Sequence, residues 1–463
     1  MTGRTVVVGN GMAAVRLVEG LVSRGVGDIT VLGDEQHAPY NRILLSAVLE
    51  GTHRPEAITL RPVHWYADHG VDLRIGTRVV DVHRPRRVVE LADRTEVDYD
   101  RLVLATGSIP TLPPIRGLVR PDGRLHDAVH AFRHLDDCTR LIEAVEGGAE
   151  RAVVVGGGLL GLQVARALAV RGVDTEIVEG GGHLLRSQVD EAAGTVLQRS
   201  LERLGTRVYT GARAVRLTDA APGAGLRLDN GVTLDTDLVV LTAGGRPSVN
   251  LARRAGLTTR RGVVVDTTLA TSDPDVFAIG DCAEHDGRTP GFVSPAWEQA
   301  GILADRFAGG GSTYDGHRTV ARLRATDLEV AVLGDADHEG GESVQMSNPI
   351  TGSHKRLVVQ GGAIVAATLV GDLSQIGVIT QCFDRRTVLG PHEPAALVMP
   401  PRAAPARDAA ATALPDEAEV CACAGVTAGR IRACSTIDEA REATRATTGC
   451  GGCASTVAAL VRG

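Results

Sequence analysis

The sequence of 463 residues has one lysine, Lys355, against many arginines, and no cysteine before Cys138. It has no apolar run of about 18 residues, so no segment reads as a membrane-spanning helix. The chain passes from Thr2 directly into the strand-like run Arg4 to Val8 and a glycine turn. It thus lacks the basic start, longer apolar stretch and cleavage site of a secretory signal, and a cytoplasmic location is expected. No basic stripe stands out and the formal net charge is −7, which argues against a nucleic-acid partner. The lysine scarcity reads as the codon bias of a GC-rich bacterial genome and carries little mechanism. An apolar fraction of 43% and a charged fraction of 23% are those of an ordinary globular protein, and the length predicts two to four domains.

What is present begins at the far end. Cys421-Ala-Cys423 and Cys450-Gly-Gly-Cys453 form the only cysteine cluster, with 26 residues between the pairs. Without a secretory signal, four such thiolates hold a metal more often than a disulfide. Cys138, Cys282, Cys382 and Cys434 are scattered singly and read as small core residues.

Two glycine turns sit upstream. Val6-Val7-Val8 leads into Gly9-Asn10-Gly11-Met12-Ala13-Ala14 and then a helical pattern, Ala13 to Leu21. This is G-x-G-x-x-A in a strand–turn–helix context, with Gly9 for the tight turn, Gly11 for pyrophosphate approach and Ala14 for helix–strand packing. The helix N-terminus turns unpaired N–H groups toward the phosphates. A second strand, Asp28 to Leu32, ends at Asp34-Glu35, about 23 residues beyond Gly11, where an acid can take adenosine ribose hydroxyls. The pattern recurs as strand Ala152 to Val155, turn Gly156-Gly157-Gly158-Leu159-Leu160-Gly161, and helix Leu162 to Arg171. The next strand, Thr175 to Val178, ends in Glu179, 18 residues beyond Gly161. A carboxylate there favours NADH over NADPH, with Arg186 nearby as the opposing signal. Two such turns roughly 145 residues apart predict two different dinucleotides.

Together these features resemble the two-dinucleotide-binding flavoproteins, the pyridine nucleotide-disulfide oxidoreductase superfamily, in its ferredoxin-reductase-like and nitrite-reductase-like branch. The resemblance covers residues 1 to about 400. It implies FAD at the first turn and NAD(H) at the second. Leu102 to Pro110, containing Ala105-Thr106-Gly107, resembles the strand that returns beside the flavin. Ala278-Ile279-Gly280-Asp281 resembles the G-D motif, whose aspartate holds the ribityl chain. Pro39-Tyr40-Asn41-Arg42 and Leu45-Ser46 match the segment near the flavin, and Ala243-Gly244-Gly245-Arg246-Pro247 the strand end before re-entry into the FAD domain. Val293 to Leu303, with Pro295, Ala296, Trp297, Glu298 and Gln299, resembles the helix start over the flavin's pyrimidine end. Ser46, Trp297 and Glu298 are the candidates near the isoalloxazine. The absence of cysteine before residue 138 excludes the thiol relay of the disulfide-reducing branches. Ala47 stands where many ferredoxin reductases place lysine, which favours the nitrite-reductase-like branch.

Short alternating stretches over 321–398 (Glu329 to Leu333, Arg356 to Gln360, Ala363 to Val370) suggest a small antiparallel sheet with a helix near Asp372 to Phe383. The resemblance makes this an accessory or dimerisation domain, hence an expected homodimer. Residues 399–417 read as a Pro/Ala-rich linker, implying a variable distance between tail and flavin. The tail, 418–463, resembles the [2Fe–2S] domain of bacterioferritin-associated ferredoxins, with Cys421, Cys423, Cys450 and Cys453 as ligands. The spacing between its pairs is shorter than usual there, and the shortening falls around Ala433 to Thr436. Tetrahedral zinc is the competing occupant.

The expected fold is α/β: two Rossmann-like three-layer dinucleotide-binding domains, a small α+β domain and a short helical tail. The boundaries are FAD domain 1–111 and 237–320, NAD(H) domain 112–236, accessory domain 321–398, linker 399–417 and tail 418–463. The resemblance implies an NADH oxidoreductase passing electrons through FAD and the cluster to a separate protein. That partner is expected to be the catalytic subunit of an assimilatory nitrate or nitrite reductase, because no sirohaem module is present in these residues. Alternatives are an NADH-dependent ferredoxin or rubredoxin reductase, and a zinc-tailed redox-sensing or assembly protein.

Overall fold

The computed structural model describes residues 3–220, 223–316, 320–335, 338, 340–399, 414–421, 424–449 and 452–462. Thr5–Val8 is β-branched and buried at every position, as suits a strand covered on both faces. It is the middle of a five-stranded parallel sheet in the order Val276–Ala278, Arg101–Leu104, Thr5–Val8, Ile29–Leu32, Val71–Arg74. Helix Met12–Ser23 starts at Gly11, buries Ala14, Leu17, Val18 and Leu21, and packs along helix Val293–Phe307. A second five-stranded parallel sheet runs Arg207–Thr210, Asp174–Glu179, Arg151–Val155, Leu238–Leu241, Val129–Ala131. Its central strand Arg151–Val155 leads into helix Leu159–Val170.

The chain crosses between the two sheets twice, on short strands Ser108–Pro110 and Gly245–Pro247, which pair antiparallel. The expected division after residue 236 therefore falls too early. Leu238–Leu241 is hydrogen-bonded beside Arg151–Val155 in the second sheet, and the chain returns to the first only at Gly245–Pro247. An antiparallel five-stranded sheet follows, in the order Val320–Ala325, Leu328–Leu333, Ala363–Val370, Ser353–Gln360, Glu342–Asn348. Helix Ile376–Arg385 packs on it, and Leu323, Val330 and Val370 share a core with the second domain. Lys355 is fully buried on this sheet, with Nζ 2.7 Å from the Asp372 carboxylate. No helix among the described residues is long and apolar enough to cross a membrane.

The tail has a two-stranded ribbon, Glu419–Cys421 with Val426–Thr427, and three helices, Ala428–Arg432, Ile437–Thr444 and Ala454–Arg462. Its core (Val426, Ile431, Val457, Leu460) is continuous with Met12, Val15, Leu60 and Trp297 of the first domain. The expectation of a variable tail position thus differs from the structure, because this apolar cluster seats the tail on the first domain. Most of the expected linker, residues 400–413, lies outside the described residues.

Asp190 ties the second domain to the antiparallel sheet. It caps helix Glu191–Arg203 through Oδ1, which accepts from the Ala193 N–H at 2.9 Å, while Oδ2 lies 3.6 Å from His354 Nε2 and 3.4 Å from Arg356 Nη1. Burial works against the charged form, but His354, the Ala193 amide and Arg356 outweigh it and hold the carboxyl at about 2. A depressed folded-state value stabilises the fold above the ordinary carboxylate range, and that contribution is lost as pH falls from about 4 through 2. Asp190→Asn keeps the cap and removes the charge. Urea unfolding at pH 7 should show the variant less stable by about 2 kcal/mol, with the difference closing toward pH 2.

Candidate functional site

The first turn is fixed by a backbone contact. Gly9 has φ +110°, and a Cβ there would lie 2.2 Å from the Ala105 carbonyl oxygen. Gly11, by contrast, faces open space, a cradle that a Cβ would fill. The orphan N–H groups opening helix Met12–Ser23 point toward a cavity of about 1780 Å³. Gly9, Gly11, Ala105, Thr106, Gly107, Gly280, Asp281, Ala296 and Glu298 all line it. Ala14 is buried beneath the turn, where its small side chain lets helix and strand meet.

The two acids after the second strand separate. Both line the cavity, but exposed Asp34 is held outward by a bidentate pair with Arg78, at 2.8 Å for each bond. Glu35 is the inner acid: it accepts from the Tyr40 hydroxyl at 2.6 Å and pairs with Arg42. Burial pushes the Tyr40 phenol up despite Arg42, so it remains a neutral donor to Glu35.

Asp281 has partners that the sequence did not point to. Its Oδ2 accepts from Ser108 Oγ at 3.0 Å and from Arg133 Nη2 at 3.0 Å. Arg133 Nε is buried on the same wall with no hydrogen-bond partner among the described residues. This orphan donor, on the wall of the cavity that the open Gly11 turn also lines, fits a ligand with phosphate or carbonyl oxygens. Arg133 belongs to no motif; it lies just before helix Leu135–Glu146 and reaches Asp281 only through the fold.

The three isoalloxazine candidates fall in different places. Glu298 lines the cavity, and burial, reinforced by Asp315, pushes its carboxyl up. Ser46 is buried off the cavity wall. Trp297 is buried beneath the tail, its indole N–H donating to the Met12 carbonyl at 3.2 Å.

The second turn repeats the first. Gly156 has φ +118° with the Thr242 carbonyl 2.6 Å from a would-be Cβ, and a Cβ on Gly161 would lie 1.9 Å from the Gly156 carbonyl. Gly158 faces open space, as does Gly244. Glu179 closes the strand end: Oε2 accepts from Gly157 N at 2.8 Å and Oε1 from Gly181 N at 2.6 Å, with Arg186 Nε 3.7 Å from Oε1. These residues lie outside the cavity wall, which reaches the second domain through Leu159, Leu160 and Gln163.

Cys421 and Cys453 are buried, unbridged, and line the same cavity as the first turn. The Thr447 N–H donates to Cys453 Sγ at 3.2 Å, which favours an anionic sulfur. Cys423 and Cys450 lie outside the described residues, within which no three metal-ligating side chains converge. The two described thiols, with an amide directed at one, fit a thiolate-held centre. Cys434 is buried in the tail core with Sγ directed at the Arg430 carbonyl.

The contrast between Gly161 and Gly158 gives a direct test. Gly161→Ala is expected to cost about 1–3 kcal/mol of stability, because helix and strand must part. Gly158→Ala should leave the melting temperature nearly unchanged and weaken NADH binding instead, as read by thermal unfolding and NADH titration.

The profile of the family described as pyridine nucleotide-disulphide oxidoreductase matches residues 3–300. The nitrite reductase (NAD(P)H) of Bacillus subtilis (strain 168) is 33% identical over 459 residues, covering 97% of this chain and 56% of that protein. The assimilatory nitrate reductase electron transfer subunit of the same organism is 30% identical over 470 residues, covering 99% of this chain and 59% of that one. The chain thus spans a little over half the length of these curated relatives. Among solved structures, the covalent putidaredoxin reductase–putidaredoxin complex superposes with a TM-score of 0.77 at 25% identity, covering 86% of this chain and 96% of that one. The chain belongs to the pyridine nucleotide-disulphide oxidoreductase family.

Proposed function

We propose that this chain oxidises NADH with FAD as its resident cofactor and passes the electrons singly, through its tail thiolates, to a separate protein. That protein is the catalytic subunit of an assimilatory nitrate or nitrite reductase. The observation that carries the reading is the placement of Cys421 and Cys453 on the wall of the cavity formed by the first glycine turn. FAD supplies the exchange between two-electron hydride chemistry and one-electron transfer. The Gly11 turn, Glu35, Arg133 and Asp281 would hold it, while Glu179 orients the nicotinamide nucleotide at the second turn. Glu298 lines the same cavity. Cys421, Cys423, Cys450 and Cys453 would carry a [2Fe–2S] cluster. The choice of partner is supported by the Bacillus subtilis relative named as an electron transfer subunit of nitrate reductase. A second reading, a ferredoxin reductase, is favoured by the similarity to the putidaredoxin reductase complex.

Iron and acid-labile sulfide in the purified protein, with a rhombic EPR signal after NADH, support the proposal; zinc with a silent spectrum removes it. Reduction of a co-purified nitrate or nitrite reductase subunit in preference to a ferredoxin separates the two acceptor readings. Cys453→Ser should lower the ratio of protein-acceptor to dye reduction by at least about tenfold in steady-state assays. Glu179→Gln should raise the KM for NADH by about tenfold or more and narrow the discrimination against NADPH.

A further inference from the structure

We propose that Arg445 and Asn41 clamp the cysteine-bearing loop of the tail to the first domain. The tail then works as a fixed relay, receiving electrons at one set separation and not by excursions of a tethered module. This rests on the reading above that electrons leave through the tail.

Asn41 is buried between Tyr40 and Arg42, both of which line the cavity. Its Nδ2 donates to the Gly449 carbonyl at 2.8 Å and to the Thr448 carbonyl, while its Oδ1 accepts from Ile43 N at 3.0 Å. The two carbonyls belong to the residues just before Cys450. One side chain therefore joins the cavity-lining segment to the cysteine loop, and undocking would cost a buried amide both of its acceptors.

Arg445 grips from the other direction. Its guanidinium is buried in the first domain, with Nε 3.3 Å from Glu19 Oε1 and Nη1 donating to the Leu60 carbonyl at 2.7 Å. Its backbone lies in the loop, in left-handed conformation at φ +65°, where its carbonyl accepts from Thr448 Oγ1 at 2.8 Å. Burial lowers the guanidinium's affinity for its proton and Glu19 opposes this, so the docked cation depends on that carboxylate. Glu19 also holds Arg61 at 2.7 Å, so removing Arg445 leaves no unpaired charge in the first domain. The apolar seat of Met12, Val15, Leu60 and Trp297 under the tail core completes the clamp.

Each NADH yields a hydride, two electrons with one proton. Two single-electron transfers across this seat, to two equivalents of a one-electron protein acceptor, complete a turnover, and the remaining proton is released to solvent. A fixed seat makes both transfers independent of the chain that joins tail to body.

The test compares the full-length protein with Arg445→Met and Arg445→Lys, reading amide hydrogen exchange over 41–45 and 446–449 together with stopped-flow reduction by NADH. Arg445→Met is expected to speed exchange in both segments by about tenfold or more and to slow tail reduction by a similar factor. Flavin bleaching should stay unchanged, and Arg445→Lys should recover part of both losses. Inserting ten Gly/Ser residues between 399 and 414 should leave tail reduction within about twofold. Unchanged exchange in Arg445→Met, or tail reduction that slows with the insertion, overturns the clamp. Should Arg445→Met not fold, Asn41→Asp, which sets a carboxylate against two carbonyls, gives the same readouts. If NADH never reduces the tail in the native protein, the functional reading fails, whereas the exchange data still decide whether the clamp exists.

Discussion

The Ala105 carbonyl lies 2.2 Å from where a Gly9 side chain would begin, and the Thr242 carbonyl stands 2.6 Å from the equivalent point on Gly156. These two backbone contacts set how each helix leaves its sheet. Only a residue without Cβ lets the chain turn so sharply beside the neighbouring strand, and the turn aims the orphan N–H groups of the helix past the strand ends. In the first sheet that direction opens the cavity; in the second it brings the helix start, Leu159 and Leu160, to the cavity's edge. The short pair Ser108–Pro110 and Gly245–Pro247 holds the two crevices in register by binding both crossings together. The rest of the site is side-chain detail on this backbone frame.

The charges around the frame are arranged by depth. Asp34 and Arg78 neutralise each other at the surface, where such a pair contributes little. Further in, Glu35 engages Tyr40 and Arg42, and Asp281 engages Ser108 and Arg133, so each acid presents an oriented oxygen. Deepest is Glu19, which pairs with both Arg61 and Arg445 and joins two parts of the chain. The same residue types thus serve as surface pair, cavity lining and joint, according to how much water surrounds them.

Much of this was legible in the sequence where the signal was local. The glycine turns, the buried β-branched strands before them and Glu179 after the next strand all follow from residues within one βαβ unit. Strand Glu342–Asn348 was hard to read, because its apolar alternation is only two residues long, Val344 and Met346, among exposed polar ones. Ser108, Arg133 and Asp281 meet from three separate segments, so no spacing announces them. The seating of the tail was the least accessible: Asn41 and Gly449 are 408 residues apart, and a Pro/Ala-rich segment between body and tail suggests freedom of movement. The cysteine pattern singled out Cys421 and Cys453 but not the cavity wall on which both lie.

Lys355 is fully buried against Asp372. It is also the only lysine among the 463 residues. The folded surface therefore offers no side-chain amine. Amine-reactive labels, carbonyl adducts and lysine acylation have no lysine target on the native molecule, and a label found at Lys355 reports that the antiparallel sheet has opened. Its cationic surface consists of guanidinium groups and, when protonated, imidazoles. Arginine keeps its charge throughout the physiological range and pairs with carboxylates in a planar, two-pronged geometry. A protein that docks on this surface must be recognised largely in that geometry.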